Sequence, residues 1–171
     1  MTELLETPHL VWPTAAVERS YLAGERADCL ARGQSAGWLG PASEDFEAFV
    51  RQSRGVRVRW RVPSTMFWCI SGEEYIGTLV IRHRLTRELA EAGGHVGYHV
   101  VAPRRRQGHA TRMLQQGLVE CGKLGLDRVL LTCDPDNLYS VRVILANGGL
   151  GAGHTGGQDH FWITVNAAGT S

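Results

Sequence analysis

The stretch that most limits what this chain can become runs from Val101 to Thr111, Val-Ala-Pro-Arg-Arg-Arg-Gln-Gly-His-Ala-Thr. It joins a strand pattern, His95–Val101, to a helix pattern, His109–Leu124. Pro103 has a fixed φ and no N–H, so it ends the strand. Met113, Leu114, Gly117, Leu118 and Cys121 then recur at the helical period and give the helix one apolar face. A helix that follows a strand this closely packs back onto the sheet, which points to a mixed fold of strands and helices. The start of such a helix exposes four unpaired N–H groups and about half a positive charge. Gly108 and Ala110 let an anion approach the backbone, and Arg104, Arg105 and Arg106 attract one. The loop reads either as a phosphate cradle or as a basic surface turn that opens a helix. It is not a Walker A loop, which needs a second Gly and a Lys, nor a G-x-G-x-x-G dinucleotide fingerprint.

The other elements follow from period and punctuation. Thr14 caps a helix that runs to about Arg32, with Ala16, Val17, Leu22, Ala23, Ala27 and Leu30 as its apolar positions. Ser43 opens a short second helix through Phe46, Phe49 and Val50. Val56–Val62 alternates Val and Arg, the period of an exposed or edge strand. Thr65–Ser71 and Tyr75–His83 form an antiparallel hairpin about Gly72-Glu73-Glu74. Thr86–Ala92 is a short helix or turn, and Arg128–Cys133 is a short buried strand. Asp136 or Asn137 caps a helix that stops at Asn147-Gly148-Gly149, and Phe161–Val165 is a last strand. The fold expected is α/β of the α+β type, a mixed and mostly antiparallel central sheet flanked by helices.

Composition narrows the function classes. With 171 residues and 43% hydrophobic content, the length suits one domain with a sizeable core. A net charge of +1 argues against a general nucleic-acid binder, although Arg51, Arg54, Arg57, Arg59 and Arg61 cluster locally. No apolar run approaches the about 18 residues that span a bilayer, and Met1–Thr7 has no signal-peptide pattern. Cys29, Cys69, Cys121 and Cys133 form no C-x-x-C pair. They read as small buried residues in a reducing compartment, so a cytoplasmic protein without a metal is expected.

The run V-x-P-x-x-R-x-x-G-x-A at Val101–Ala110 resembles the acyl-CoA motif of the GNAT superfamily of N-acetyltransferases. Asp134-Pro135-Asp136-Asn137, Ser140, Val143-Ile144 and Asn147-Gly148-Gly149 resemble its second cofactor segment, and Gly94-His95-Val96-Gly97-Tyr98 its central strand. The strong likeness covers about Gly94–Gly149. It implies two parallel strands, His95–Val101 and Arg128–Cys133, that splay apart to admit the pantetheine arm of acetyl-CoA. It also implies one domain over 1–171: acceptor-side helices in 1–63, central strands in 64–101, cofactor binding in 102–149 and C-terminal strands in 150–171.

By the same resemblance the pantetheine amides pair with backbone at His99, Val100 and Val101. The diphosphate meets Arg105, Arg106, Gln107, Gly108, His109, Ala110 and Thr111, while Asn137 and Ser140 face the pantetheine or the sulfur. An N–H near His99 polarises the thioester carbonyl. The implied reaction is direct transfer of acetyl to a primary amine, which must first lose a proton. His95 is the first candidate base. It lies four residues before His99, on the same face of the strand, and histidine titrates near the working pH. Many relatives place a tyrosine acid where this chain has Ile144, which leaves Tyr98 or water for that role. A thiolate leaves readily in any case.

The acceptor stays open between a small amine, an amino acid, a peptide N-terminus and a lysine side chain. The arginine run either attracts an acidic acceptor or is a solvated edge that resists aggregation. Trp12, Trp38, Trp60, Trp68 and Trp162 read as core and rim packing. No nucleic-acid or membrane partner is expected, and a homodimer through the C-terminal strand or the Arg-rich edge is open. A non-catalytic acyl-CoA sensor on the same fold is the alternative.

Overall fold

The structure, a computed structural model, describes residues 3–166. Met1, Thr2 and the end of the 150–171 stretch lie outside the described residues. In chain order the elements are β1 (His9–Val11), α1 (Glu18–Ala31), α2 (Gly40–Glu44), α3 (Phe46–Ser53), β2 (Val56–Arg59), β3 (Val62–Ser71) and β4 (Glu74–Arg82). There follow α4 (Arg87–Glu91), β5 (Val96–Val100), α5 (His109–Lys123), β6 (Arg128–Cys133), α6 (Leu138–Ala146), β7 (Leu150–Thr155) and β8 (Gln158–Thr164).

The strands form two antiparallel sheets. One has the order β1-β3-β4-β5, with β2 also on β3, and the other β6-β8-β7. Alternation along β3 sends Phe67 and Cys69 to one face and Trp68 and Ile70 to the other, so this sheet has a core on each side. On one side Met113, Leu114 and Cys121 of α5 pack with Leu79, Ile81 and Leu131. On the other Tyr21 of α1 stacks on Trp68 at 4.6 Å between centroids and packs with Phe46 and Val50 of α3.

The sheets touch at the start of β5. His95 N–H donates to the Leu130 carbonyl at 2.8 Å, and Leu130 N–H returns a bond to His95 Nδ1 at 2.9 Å. Gly94 stands at that junction with φ +63, and a Cβ there would lie 2.3 Å from the Leu130 oxygen, so only glycine fits. No ladder joins β5 to β6 among the described residues, and the expected splay takes the form of a break between two sheets.

Four expectations are corrected. Val56–Val62 is not one strand: Trp60 and Arg61 have φ of 52° and 63° and turn the chain from β2 into β3. Two short helices stand where one was expected, and the cap of the second is Asp45, which accepts from Ala48 N–H at 2.9 Å. A strand, β7, precedes the last one and pairs with it. On α1 the buried face carries Tyr21, Glu25, Asp28 and Cys29, while Leu30 is 83% exposed. Among the described residues no helix is long and apolar enough to cross a membrane.

Candidate active site

Two cavities meet at the β5 end of the first sheet. The larger, about 750 Å³, lies between the start of α5 and α6 and is lined by His99, Arg106, Gly108, Ala110 and Ser140 among others. The smaller, about 550 Å³, lies against α1 and is lined by Glu25, Asp28, Trp38, Phe49, Thr78 and His99 among others. His99 and Arg32 line both. A group on each side can therefore reach the same imidazole.

The larger cavity takes its character from the helix start. Gly108 is the N-cap of α5 with φ 80°, and a Cβ added there would meet nothing within 4 Å. The N–H groups of His109, Ala110 and Thr111 have no carbonyl one turn behind them within the helix, because its first bond runs from Arg112 N–H to the Gly108 carbonyl. Ala110 and Thr111 line the space, as do Arg104, Arg106 and Arg142. Arg104 is buried and held by Glu74 at 3.2 Å, so a diphosphate finds donors, open room and the guanidinium groups of Arg106 and Arg142 here, and the residues fit coenzyme A. Arg106 stacks over Tyr139 with 4.7 Å to the ring centroid.

Arg105 lines the same cavity but is turned back into the protein. Its Nη2 pairs with Asp28 Oδ1 and its Nε donates to the Val100 carbonyl at 3.0 Å. Asp28 also accepts from Ala102 N–H at 3.0 Å and pairs with Arg32 Nε at 2.8 Å. One buried carboxylate on α1 thus anchors the first turn of the loop that leads into α5, and Arg105 ties that loop to it.

His99 stands between carboxylates and a cation. Its Nε2 lies 3.2 Å from Glu25 Oε2 and 3.8 Å from Asp28 Oδ2, and its Nδ1 lies 3.4 Å from Arg32 Nη2. A guanidinium only donates and a carboxylate only accepts. The contacts set a proton on Nε2, toward Glu25, and the lone pair of Nδ1 toward Arg32. Glu25 is held from behind by Tyr75, whose hydroxyl donates to Oε1 at 2.7 Å and contacts Thr78 Oγ1 at 2.6 Å. Burial, and the charge of Glu25, push the Tyr75 phenol well above its usual range, so it stays protonated. Glu25, Asp28 and His99 place ligand atoms within 4.8 Å of one another, a spacing open to a cation. Two guanidinium groups already pair with Asp28, which leaves Glu25 as the carboxylate facing the imidazole.

On the far wall, Tyr98 Oη and Ser140 Oγ are 2.6 Å apart, and burial pushes the phenol up to about 12. Asn137 Oδ1 caps α6 by accepting Ser140 N–H at 3.2 Å. Ile144 is fully buried in the core and faces neither cavity. His109 lines the larger cavity, with Nε2 3.2 Å from Gln107 Oε1; Gln107 does not line it. Val101 turns away from it, with its N–H on the Ile76 carbonyl and its side chain against Gly24.

His95 lines neither cavity. Four residues of strand put it about 13 Å from His99, and its Nδ1 is occupied by Leu130 N–H. Burial holds its pKa below the ordinary 6.5. The unfolded chain takes up a proton near pH 6.5 that the folded chain resists. The stability tied to this latch is therefore complete above that pH and drains as pH falls through the lower folded value. His83 and His109 are shifted the same way and add to it. The melting temperature is expected to fall between about pH 7 and pH 5, and to fall less in His95→Asn, which keeps an acceptor but does not titrate.

Sequence reasoning missed Glu25, Asp28 and Arg32. A signal was present: Tyr21, Glu25, Asp28 and Arg32 recur at helical spacing on one face, and Tyr21 and Cys29 on that side are buried. Charged residues sharing a face with buried aromatics mark an internal polar cluster.

Comparison with known proteins agrees with this geometry. A sequence profile of the family described as "Acetyltransferase (GNAT) family" matches residues 35–148, well over half of the chain. Among solved structures the chain is similar to RimL, the ribosomal L7/L12 alpha-N-protein acetyltransferase, in complex with coenzyme A. The TM-score is 0.65 at 17% identity, over 96% of this chain and 98% of that one. It is similar also to the microcin C7 self-immunity acetyltransferase MccE with acetyl-CoA and AMP, with TM-score 0.62, 16% identity and 95% and 94% coverage. A third is Mycobacterium smegmatis RimJ with a CoA disulfide, with TM-score 0.58, 23% identity and 97% and 86% coverage. No curated protein sequence matches the chain. The profile match settles the family and the structural likenesses agree with its fold: the chain belongs to the acetyltransferase (GNAT) family.

Proposed function

We propose that the protein transfers an acetyl group from acetyl-CoA to a primary amine. The observation that carries this reading is the imidazole of His99, which lines both cavities. In it, the larger cavity holds acetyl-CoA, which supplies the acetyl group as a thioester, and the smaller holds the amine.

The protein's own part is proton management and orientation. An alkylammonium near neutral pH cannot attack until it is deprotonated. His99 Nδ1 carries the lone pair that takes the proton, directly or through one water, once the long contact to Arg32 gives way. Glu25 stabilises the imidazolium from the Nε2 side and fixes the ring, the part a buried carboxylate plays in a Ser-His-Asp triad. Asp28 and Arg105 hold the loop so that the first amides of α5 face the diphosphate. Tyr98, kept protonated by its high pKa and joined to Ser140, offers a proton to a departing thiolate. His95 has no part in proton transfer in this scheme and acts as the latch between the sheets. The four buried free cysteines suit a reducing compartment, and we place the reaction in the cytoplasm.

The test is release of free thiol from acetyl-CoA across a panel of amines: small alkylamines, amino acids, peptides with a free N-terminus and lysine-containing peptides. Turnover with at least one class is expected. Tight coenzyme A binding with no turnover anywhere would turn the reading to a binding module.

A further inference from the structure

The smaller cavity is lined by groups of both charges. Glu25, Asp28 and His99 share it with the rings of Trp38, Phe49 and Trp68. Two guanidinium groups line it: Arg32, paired with Asp28, and Arg59, the last residue of β2. The Trp60–Arg61 turn directly behind it fixes where that strand ends. Arg59 differs from the other members of the arginine run. Arg51, Arg54, Arg57 and Arg61 are exposed, whereas Arg59 is half-buried and lines the cavity.

Its surroundings do not balance its charge. Nη2 donates to the Ser53 carbonyl at a long 3.4 Å, and Nη1 is covered and has no partner among the described residues. No carboxylate among them lies within ion-pairing distance of it, while Asp28 on the same cavity is paired to guanidinium groups. Burial and the neighbouring Arg57 both disfavour its charged form. A covered guanidinium nitrogen without an acceptor is costly, so the side chain gains by turning toward an anion in the cavity. A volume of about 550 Å³ takes a small molecule whole.

We propose that Arg59 seats an anionic group of the acceptor, and that the acceptor is a small amine carrying a carboxylate or like anion on an apolar or aromatic body, as an amino acid does. The amine faces Glu25 and His99, the flat or apolar part lies among Trp38, Phe49 and Trp68, and the anion reaches Arg59. This rests on the transferase reading and names its substrate class. A simple alkylamine or a lysine side chain leaves Arg59 unsatisfied.

The experiment measures kcat/KM by thiol release for apolar and aromatic amino acids and for their primary amides, with wild-type protein, Arg59→Gln and Arg59→Lys. The amide's amine loses its proton more readily, a bias against the expected outcome. The free acids are expected to exceed the amides by roughly ten- to hundredfold. That ratio should fall to near one in Arg59→Gln and be partly kept in Arg59→Lys. A melting curve and coenzyme A titration of each variant show that it is folded. Equal use of acid and amide by the wild type, or an unchanged ratio in Arg59→Gln, overturns the proposal and leaves the transferase reading standing. No turnover of any amine with coenzyme A bound overturns both.

Discussion

Replacing His99 by alanine is expected to lower kcat for amine acetylation by about a hundred- to ten-thousandfold, with the dissociation constant of coenzyme A little changed. That loss corresponds to roughly 2.7–5.5 kcal/mol of barrier. The split between the two readouts carries the meaning. A residue that only packed the wall would alter binding and stability together, while a base alters the proton-transfer step. Glu25→Gln should lower kcat as well, by less, because the amide still holds the ring but stabilises the imidazolium poorly. Rapid-mix and steady-state thiol release, alongside a coenzyme A titration of each variant, separate these outcomes. An unaltered kcat in His99→Ala would move the base to Glu25.

Replacing Ala110 by glutamate is expected to weaken coenzyme A binding by at least about a hundredfold without lowering the melting temperature. Ala110 is the second residue of α5 and lines the larger cavity. A carboxylate there sits where the diphosphate must come and repels it over a few ångströms. The same carboxylate favours the helix itself, since a negative charge in the first turn compensates the macrodipole by about 0.3–1 kcal/mol. Loss of binding with an equal or higher melting temperature thus cannot be blamed on unfolding. Calorimetric titration together with a thermal melt checks both halves. Undiminished binding would mean that coenzyme A does not use this helix start.

The parts of the fold that could be read ahead of the structure are those where one local rule dominates. Pro103, Gly108 and the spacing of Met113, Leu114, Gly117 and Cys121 leave little choice for the loop and α5. β3 and β4 announce themselves by apolar runs about a glycine turn. The misreadings arise where a tertiary contact overrides the local pattern. Leu22, Ala23, Ala27 and Leu30 suggest an apolar face on α1, yet the sheet receives Tyr21, Glu25 and Asp28. Those carboxylates find His99, Arg105 and Tyr75 far along the chain and are satisfied inside. Trp60 and Arg61 take a turn conformation usually left to glycine and asparagine, and Arg82 stacks on Trp60 with 4.1 Å to the ring centroid. β7 is exposed along its whole length and has two glycines, so no alternation betrays it.

The site divides in the same way. The half proposed for the cofactor lies almost wholly in one continuous stretch, where spacing is informative. The half proposed for the acceptor is assembled from α1, α3 and β2–β5, and only the fold shows that Glu25 and His99, 74 residues apart, share a hydrogen bond. His95 and His99 have the same strand parity, and parity cannot tell which end of the strand opens on a cavity.

Amide hydrogen exchange at Gly108–Thr111, measured with and without saturating coenzyme A, tests the central claim most directly. The expected result is strong slowing at His109, Ala110 and Thr111 on binding, since a diphosphate accepts from those N–H groups, with the amides at the far end of α5 unaffected. Stoichiometric binding that leaves these three amides exchanging at their free rate would contradict it.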